Sequence, residues 1–363
     1  MHASEADLPL SAPSQQRLLR LGASDDPAAT ALQRNLSALA GRDDWLWMGG
    51  DEGRSLFRLE GLDNHQHGDP SRVKLADFGL AEGKEQGESD IEGLALDGDR
   101  LWLVGSHSSR RYALTSRKGE PLSLPAESRR NAHVLGCLHL DGKGWPRSGQ
   151  RLQPARKASR DALSKALAAD PRLAPFIAIP SKDNGLDIEG LTARGERVLV
   201  GLRGPVLRGI ALVADLRLAG LSATSGETLT LESLRLRALQ LSGLAVRDLA
   251  AVPGSPDVIV LAGPTMTLPG PCFLYRWRDA LHLDREAIAR GEGSALVVEE
   301  PEPQLCIREG RPGRGGEGDD KPEGLHVAQQ GDQLMAWVAY DDPSTSRRKG
   351  DGACTRLAGF ALP

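Results

Sequence analysis

Asp90-Ile91-Glu92-Gly93-Leu94 and Asp187-Ile188-Glu189-Gly190-Leu191 are two copies of one pentapeptide. Each is followed, after a short polar turn, by an apolar run that closes on glycine, at residues 101–105 and 198–201. A third copy, Lys321-Pro322-Glu323-Gly324-Leu325, precedes the run 334–340. Weaker copies are Asn35-Leu36-Ser37-Ala38-Leu39 before 45–50, and Leu241-Ser242-Gly243-Leu244 before 258–263. A motif, a turn and a strand recurring along a chain are the signature of a repeat architecture.

The third motif position falls at 37, 92, 189, 242 and 323. The first and third separations fit a propeller blade of ~40–50 residues with modest loops, and the other two carry insertions. In the interval after Glu92, residues 134–140 and 176–179 are expected as the third and fourth strands. Between them, 156–169 has helical spacing, stopped by Asp170-Pro171. The interval after Ser242 holds a short helix over 284–289 and a charged, glycine-rich loop at 308–321. The residues after the last motif supply only three strands, so residues 17–21 are expected to donate the fourth and close the ring. The predicted fold is all-β, a single five-bladed β-propeller over residues 1–363. Residues 1–30 contribute the closing strand, 141–172 form a helical insertion and 308–321 a flexible loop. A hidden blade in the longest interval would make the ring six-bladed.

Composition agrees. Hydrophobic residues form 40% of the chain, enough for a core, while 42 glycines and 4% aromatic residues suit turn-rich β-structure. The net charge is −4 and the basic residues are interspersed with acidic ones, which argues against nucleic acid as a partner. No apolar run approaches the ~18 residues of a membrane span. Residues 1–10 lack a basic opening and an apolar signal core, so the expected location is the cytoplasm. Cys137, Cys272, Cys306 and Cys354 are widely spaced and are expected to be free, buried thiols.

Equivalent residues of successive blades surround the propeller axis. The expected axial ring is Ser37, Glu92, Glu189, Ser242 and Glu323, with Asn35, Asp90 and Asp187 two residues earlier. Converging glutamates repel, and a bound hard cation, raised pKa values or nearby arginines are the available remedies. Asp90, Glu92, Asp187, Glu189 and Glu323 are therefore candidate metal ligands, with calcium first because every donor is oxygen. The alternative is that the glutamates accept backbone hydrogen bonds and fasten the blades. A second ring, anchored on the glycines that close the second strands, contains Asp51 or Glu52, His107, Arg203, Thr265 and Asp341. His107 is a candidate general base or metal ligand, with a structural hydrogen bond as the alternative. Arg203 is a candidate anion clamp, with an ion pair to the glutamates as the alternative. Glu92 and Glu189 are the candidate proton acceptors. Arg247-Asp248 is expected to be a local ion pair. Gly-x-Ser-x-Gly, Walker and His-Glu-x-x-His patterns are absent.

The repeated D-x-E-G-L element resembles phytase-like and esterase-like propeller proteins of bacteria. It is most similar to the bacterial domain-of-unknown-function family 3616, from about Ala31 onward. The residues carrying the resemblance are 90–94 with Gly105-Ser106-His107-Ser108, 187–191 with Gly201-Leu202-Arg203-Gly204-Pro205, and 321–325. The resemblance implies axial acidic side chains able to bind calcium and, in true phytases, phosphate. Ser37 and Ser242 depart from that pattern and argue against a polynuclear calcium centre. The resulting expectation is a small anionic or metal-chelated ligand at the axial face, with metal-dependent hydrolysis of a phosphate or carboxylic ester as the chemistry. A non-catalytic interaction module is the alternative.

Overall fold

The computed structural model describes residues 8–42, 44–61, 69–81, 89–111, 126–128, 133–153, 161–222, 228–266, 268–282, 296–308, 319–348 and 350–363. Its strands form five blades around one axis. After β1 (Gln15–Gly22) and helix α1 (Pro27–Arg34), blade 1 is β2 (Leu36–Gly41), β3 (Trp45–Gly50), β4 (Ser55–Glu60) and β5 (Ser71–Lys74). Blade 2 contains β6 (Ile91–Asp97) and β7 (Arg100–Gly105). A ribbon of β8 (Ser109–Arg111) and β9 (Ala126–Ser128) interrupts it before β10 (Leu135–Leu140) and β11 (Pro146–Arg151). Helix α2 (Ala162–Ala169) leads to blade 3, made of β12 (Asp187–Arg194), β13 (Arg197–Leu207), β14 (Ile210–Ala219) and β15 (Thr230–Gln240). Blade 4 is β16 (Ala245–Ala251), β17 (Val258–Gly263) and β18 (Cys272–Trp277). The short β19 (Val298–Glu299) then pairs in parallel with β15 of blade 3, and β20 (Glu302–Arg308) completes blade 4. Blade 5 is β21 (Lys321–Gln330), β22 (Gln333–Asp341), β23 (Ala353–Leu362) and, outermost, β1.

The first strand of each blade is innermost. β2, β6, β12, β16 and β21 touch one another in sequence, and β21 touches β2 again. The hydrophobic core is divided into five clusters, one between each pair of neighbouring blades. Val198 and Val200 of β13 pack with Trp102 and Val104 of blade 2, whereas Leu199 between them packs with Val258 and Val260 of blade 4. Both faces of a blade are thus buried, which is why its inner strands read as unbroken apolar runs. Trp47 joins the cluster with Leu101 and Leu103, and Trp337 the cluster with Leu36 and Leu46.

Ring closure runs through β1, whose Arg17 lies opposite Leu357 and Leu19 opposite Thr355 in β23. Two placements differ from the sequence reading. The fourth strand of blade 2 is β11, inside the stretch 141–172 assigned to a helical insertion, and residues 174–176 form a 3-10 turn. An outer strand needs little apolar surface, so Pro146-Arg147-Ser148-Gly149-Gln150-Arg151 carries no hydrophobic signature. The apolar Ile177 instead packs onto the core between blades 2 and 3. The loop expected at 308–321 is bounded by strand residues, since Arg308 ends β20 and Lys321 opens β21. Residues 309–318 and the helix expected at 284–289 lie outside the described residues. No helix among the described residues is long and apolar enough to cross a membrane.

Since β1 buries Leu19 and Leu21 and is the sole outer partner of β23, deleting residues 1–22 is expected to lower the urea midpoint and to broaden or split the transition followed by circular dichroism. A deletion that unfolds as sharply as the full chain would show that β1 does not close the ring.

Candidate functional site

Every innermost strand carries an irregularity at the same place in its pairing with the second strand. The register skips one residue at Ser37, Glu92, Glu189 and Arg247, and skips Glu323-Gly324 in blade 5. A bulge of this kind leaves a residue unpaired and re-aims its side chain. Glu92, Glu189, Arg247 and Glu323 consequently line a cavity of about 840 Å³ at one end of the axis. Ser37 instead donates from Oγ to the Ile91 carbonyl at 2.6 Å, tying blade 1 to blade 2. In blades 2 and 3, glycine follows the bulged glutamate because neighbouring strands approach closely. A Cβ on Gly93 would stand 2.7 Å from Leu191 Cβ, and one on Gly190 would stand 3.0 Å from Asp248 Cα.

The blade-4 member of the ring is therefore Arg247, not Ser242, and Val246-Arg247-Asp248-Leu249 is the counterpart of Ile-Glu-Gly-Leu. Arg247 is no partner of Asp248. Its Nε lies 3.0 Å from Glu189 Oε2, and its Nη2 bonds Glu323 Oε1. Arg203 places Nη1 2.5 Å from Glu189 Oε1 and bonds Asp187 through Nη2. The five side chains Asp187, Arg203, Glu189, Arg247 and Glu323 form a chain of alternating charge across blades 3, 4 and 5. Burial pushes the Asp187 carboxyl up to about 7 despite Arg203 beside it. Asp248, fully buried in the place of the usual glycine, accepts from the Leu249 amide at 2.7 Å and the Leu325 amide at 2.6 Å, so it pins blade 4 to blade 5. The fastening role considered for the glutamates belongs here to Ser37 and Asp248.

Blades 1 and 2 present a different surface. Asp51, just beyond β3, joins Asp90 and Glu92, and one carboxylate oxygen from each lies within 4.8 Å of the others. Asp51 Oδ1 is buried without a hydrogen-bond partner. Glu92 keeps only 9% of its surface, and among the described residues no hydrogen bond or ion pair holds its carboxylate. Asp90 accepts from Ser106 Oγ. Burial first, then the neighbouring carboxylates, drive Asp51 and Glu92 well above the usual range, and burial raises Asp90 as well. Among the described residues the trio makes no direct ion pair, unlike the other side of the ring, but it lies within the field of basic groups: Arg110 and Arg203 oppose the rise of Asp90, and Glu92 acts on Arg203. Asp341 also lines the cavity, with Lys321 3.6 Å away.

His107 does not face the cavity. It adopts a positive φ of 51° and turns beneath helix α2, with Nδ1 2.8 Å from the Gly105 carbonyl and Nε2 2.8 Å from Asp161 Oδ2. Asp161 caps α2 by accepting from Ser164 N at 2.9 Å and Ser164 Oγ at 3.0 Å. His133 Nδ1 lies 2.7 Å from the same hydroxyl. Its neighbours tie Asp161 to the start of α2 and hold His107 away from the axial cavity; His107, His133 and Asp161 each offer a ligand atom within 4.8 Å of the others. Thr265 serves as a strut, its Oγ1 donating to the Arg203 carbonyl at 2.8 Å, and Glu52 is exposed.

The family model described as "Protein of unknown function (DUF3616)" matches residues 35–356, and the chain belongs to that family. No curated protein matches it. Among solved structures, it is similar to Myxococcus xanthus glutaminyl cyclase at 10% identity, covering 97% of this chain and 100% of that one with a TM-score of 0.39. It is also similar to CoXyl43, a GH43 β-xylosidase/α-arabinofuranosidase from a compost microbial metagenome, at 7% identity, 96% coverage of both chains and a TM-score of 0.43. The Cps50 (Swd1) β-propeller domain of Myceliophteria thermophila matches at 9% identity over 90% of this chain and 96% of that domain, with a TM-score of 0.32. Likenesses this distant concern the fold alone and carry nothing about activity.

Two outcomes follow from this geometry. Arg247→Gln strips Glu189 and Glu323 of a buried partner and is expected to cost about 3–5 kcal/mol in urea unfolding. The double variant R247Q/E323Q should recover part of that loss, and strict additivity would show that the pair is uncoupled. The His107–Asp161 pair sets a pH dependence. Asp161 and a hydrogen bond to Gly105 raise His107 against the effect of burial, whereas His107 and the Ser164 amide hold Asp161 low. The His107 contribution is full below the ordinary histidine pKa of 6.5 and is lost as pH rises through its folded value. The Asp161 contribution is present above the ordinary value of 3.8 and is lost as pH falls through its folded value. The stability gap between wild type and His107→Gln, measured by urea unfolding, should therefore be widest near pH 6 and narrow by pH 9. A gap independent of pH would assign His107 to packing alone.

Proposed function

We propose that the axial cavity binds a hard divalent cation, calcium first, on Asp51, Asp90 and Glu92, and that this cation holds a small anionic ligand. The observation that carries the reading is the half of the ring that has no direct ion pairs among the described residues. On blades 3 to 5 arginines neutralise the buried carboxylates, whereas on blades 1 and 2 three carboxylates converge with an orphaned oxygen on Asp51 and an unpartnered Glu92. Oxygen-only donors suit calcium or magnesium rather than zinc. Asp187, Glu189 and Glu323, also candidate ligands by sequence, are spent on Arg203 and Arg247 and serve the frame of the site.

Such a cation would polarise the oxygen of a phosphate or carboxylic ester. A second reading, a propeller that binds without turnover, is supported by the ion pairs that occupy both Arg203 and Glu189. A cytoplasmic location is part of the proposal, supported by four free, buried cysteines.

Calcium is expected to raise the thermal midpoint of the wild type, because a ligand that prefers the folded state stabilises it by mass action. Glu92→Gln should lose that response and, freed of carboxylate repulsion, be no less stable than wild type without calcium. An unchanged wild-type midpoint across millimolar calcium and magnesium would overturn the cation site. Hydrolysis of 4-nitrophenyl phosphate or acetate by the calcium-loaded wild type, abolished in the Glu92 variant, would decide for the enzyme over the binding module.

A further inference from the structure

The cavity is layered. Its deepest residues, Asp187, Glu189, Arg247 and Glu323 with Asp90 and Glu92, are buried. Its mouth is lined by cations on several elements: Arg110 of β8, the exposed Lys182 in the turn before β12, and Arg308 at the end of β20. The wall between β17 and β18 is apolar instead, built from Pro264, Met266, Leu268 and Pro269. Leu268 keeps 59% of its surface and is among the few exposed large hydrophobic side chains of the described residues. The wall is held in place. Thr265 is bonded to the Arg203 carbonyl, Gly270 packs so tightly on the Pro264 ring that a Cβ would come within 2.6 Å, and Met266 takes a left-handed φ of 58°. A bulky side chain held in that region costs free energy, and such strain gathers at ligand clamps.

We infer that the ligand of this cavity is an organic anion with an apolar body. Its phosphate or carboxylate group faces the cation on Asp51, Asp90 and Glu92, flanked by Lys182 and Arg308, and its apolar part lies on Met266 and Leu268. The inference rests on the cation reading and adds the ligand class to it. An anion alone would leave the apolar wall wet, and an apolar compound alone would set nothing negative against Lys182 and Arg308 or the cation on the floor. About 840 Å³ is the size of a small-molecule site.

Calorimetric titration of the calcium-loaded full chain with two pairs of probes tests this: phenyl phosphate against inorganic phosphate, and octanoate against acetate. In at least one pair the apolar-bearing member should bind about tenfold more tightly, as filling an apolar subsite implies. Which pair shows the preference distinguishes a phosphate from a carboxylate ligand. Leu268→Asp should erase the preference while keeping the calcium-induced thermal shift, and Lys182→Glu should weaken both members of the pair. Equal affinities within both pairs, a preference that survives Leu268→Asp, or no binding of any probe would overturn the inference. Loss of the calcium shift in the wild type would instead sink the cation reading beneath it, so the two failures are told apart.

Discussion

Five strands converge on one axis, and four of them bulge a charged side chain, Glu92, Glu189, Arg247 or Glu323, into the cavity at its end. The compensation of the resulting charge is the interaction on which the rest depends. A buried carboxylate without a partner is costly, so the ring can close around its acidic residues only where something offsets them. Blades 3, 4 and 5 do this internally, with Arg203 and Arg247 threaded between Asp187, Glu189 and Glu323. The arginine of blade 4 stands where three other blades carry glutamate, and that replacement makes the ring asymmetric. Asp51, Asp90 and Glu92 are left on the other side with raised affinities for protons. The same free energy is available to a cation that displaces those protons.

The five blades were legible because inner blade strands are buried on both faces. Their apolar runs survive as a repeating signal, and the glycine after Glu92 or Glu189 is enforced by the approach of the next strand. The register of blade 4 was misread through a resemblance of letters. Ser242-Gly243-Leu244 imitates the motif, but Gly243 lies in a turn with a φ of 85°. Spacing held the correction: eight residues separate Glu92 from Arg100 and Glu189 from Arg197, and sixteen separate Ser242 from the second strand at Val258. Moving the motif to Arg247 shortens that gap to eleven and brings Leu249 into line with Leu94 and Leu191. β11 was invisible for the opposite reason, since an outer strand can be polar throughout.

Of the site, Asp90, Glu92, Asp187, Glu189, Glu323 and Arg203 were found in the sequence, and all line the cavity. Their division into a self-neutralised frame and an open acidic trio was not, because it depends on which blade faces which arginine. Asp51 was reached only through the glycine that closes β3, with no motif of its own. His107 stood at a position equivalent to Asp51 and Arg203, yet a positive φ and the Asp161 cap draw it under α2.

The central claim, that the acidic trio on blades 1 and 2 is the cation site while the glutamates of blades 3 and 5 are already neutralised, is a claim about position. It is tested most directly by anomalous scattering from crystals soaked in manganese or terbium, hard cations that take oxygen ligands. The account predicts one strong peak bounded by Asp51, Asp90 and Glu92, with Glu189 and Glu323 still on Arg247. A cation seated on Glu189 and Glu323, or density showing no ion at the trio in crystals that bind one elsewhere along the axis, would contradict it.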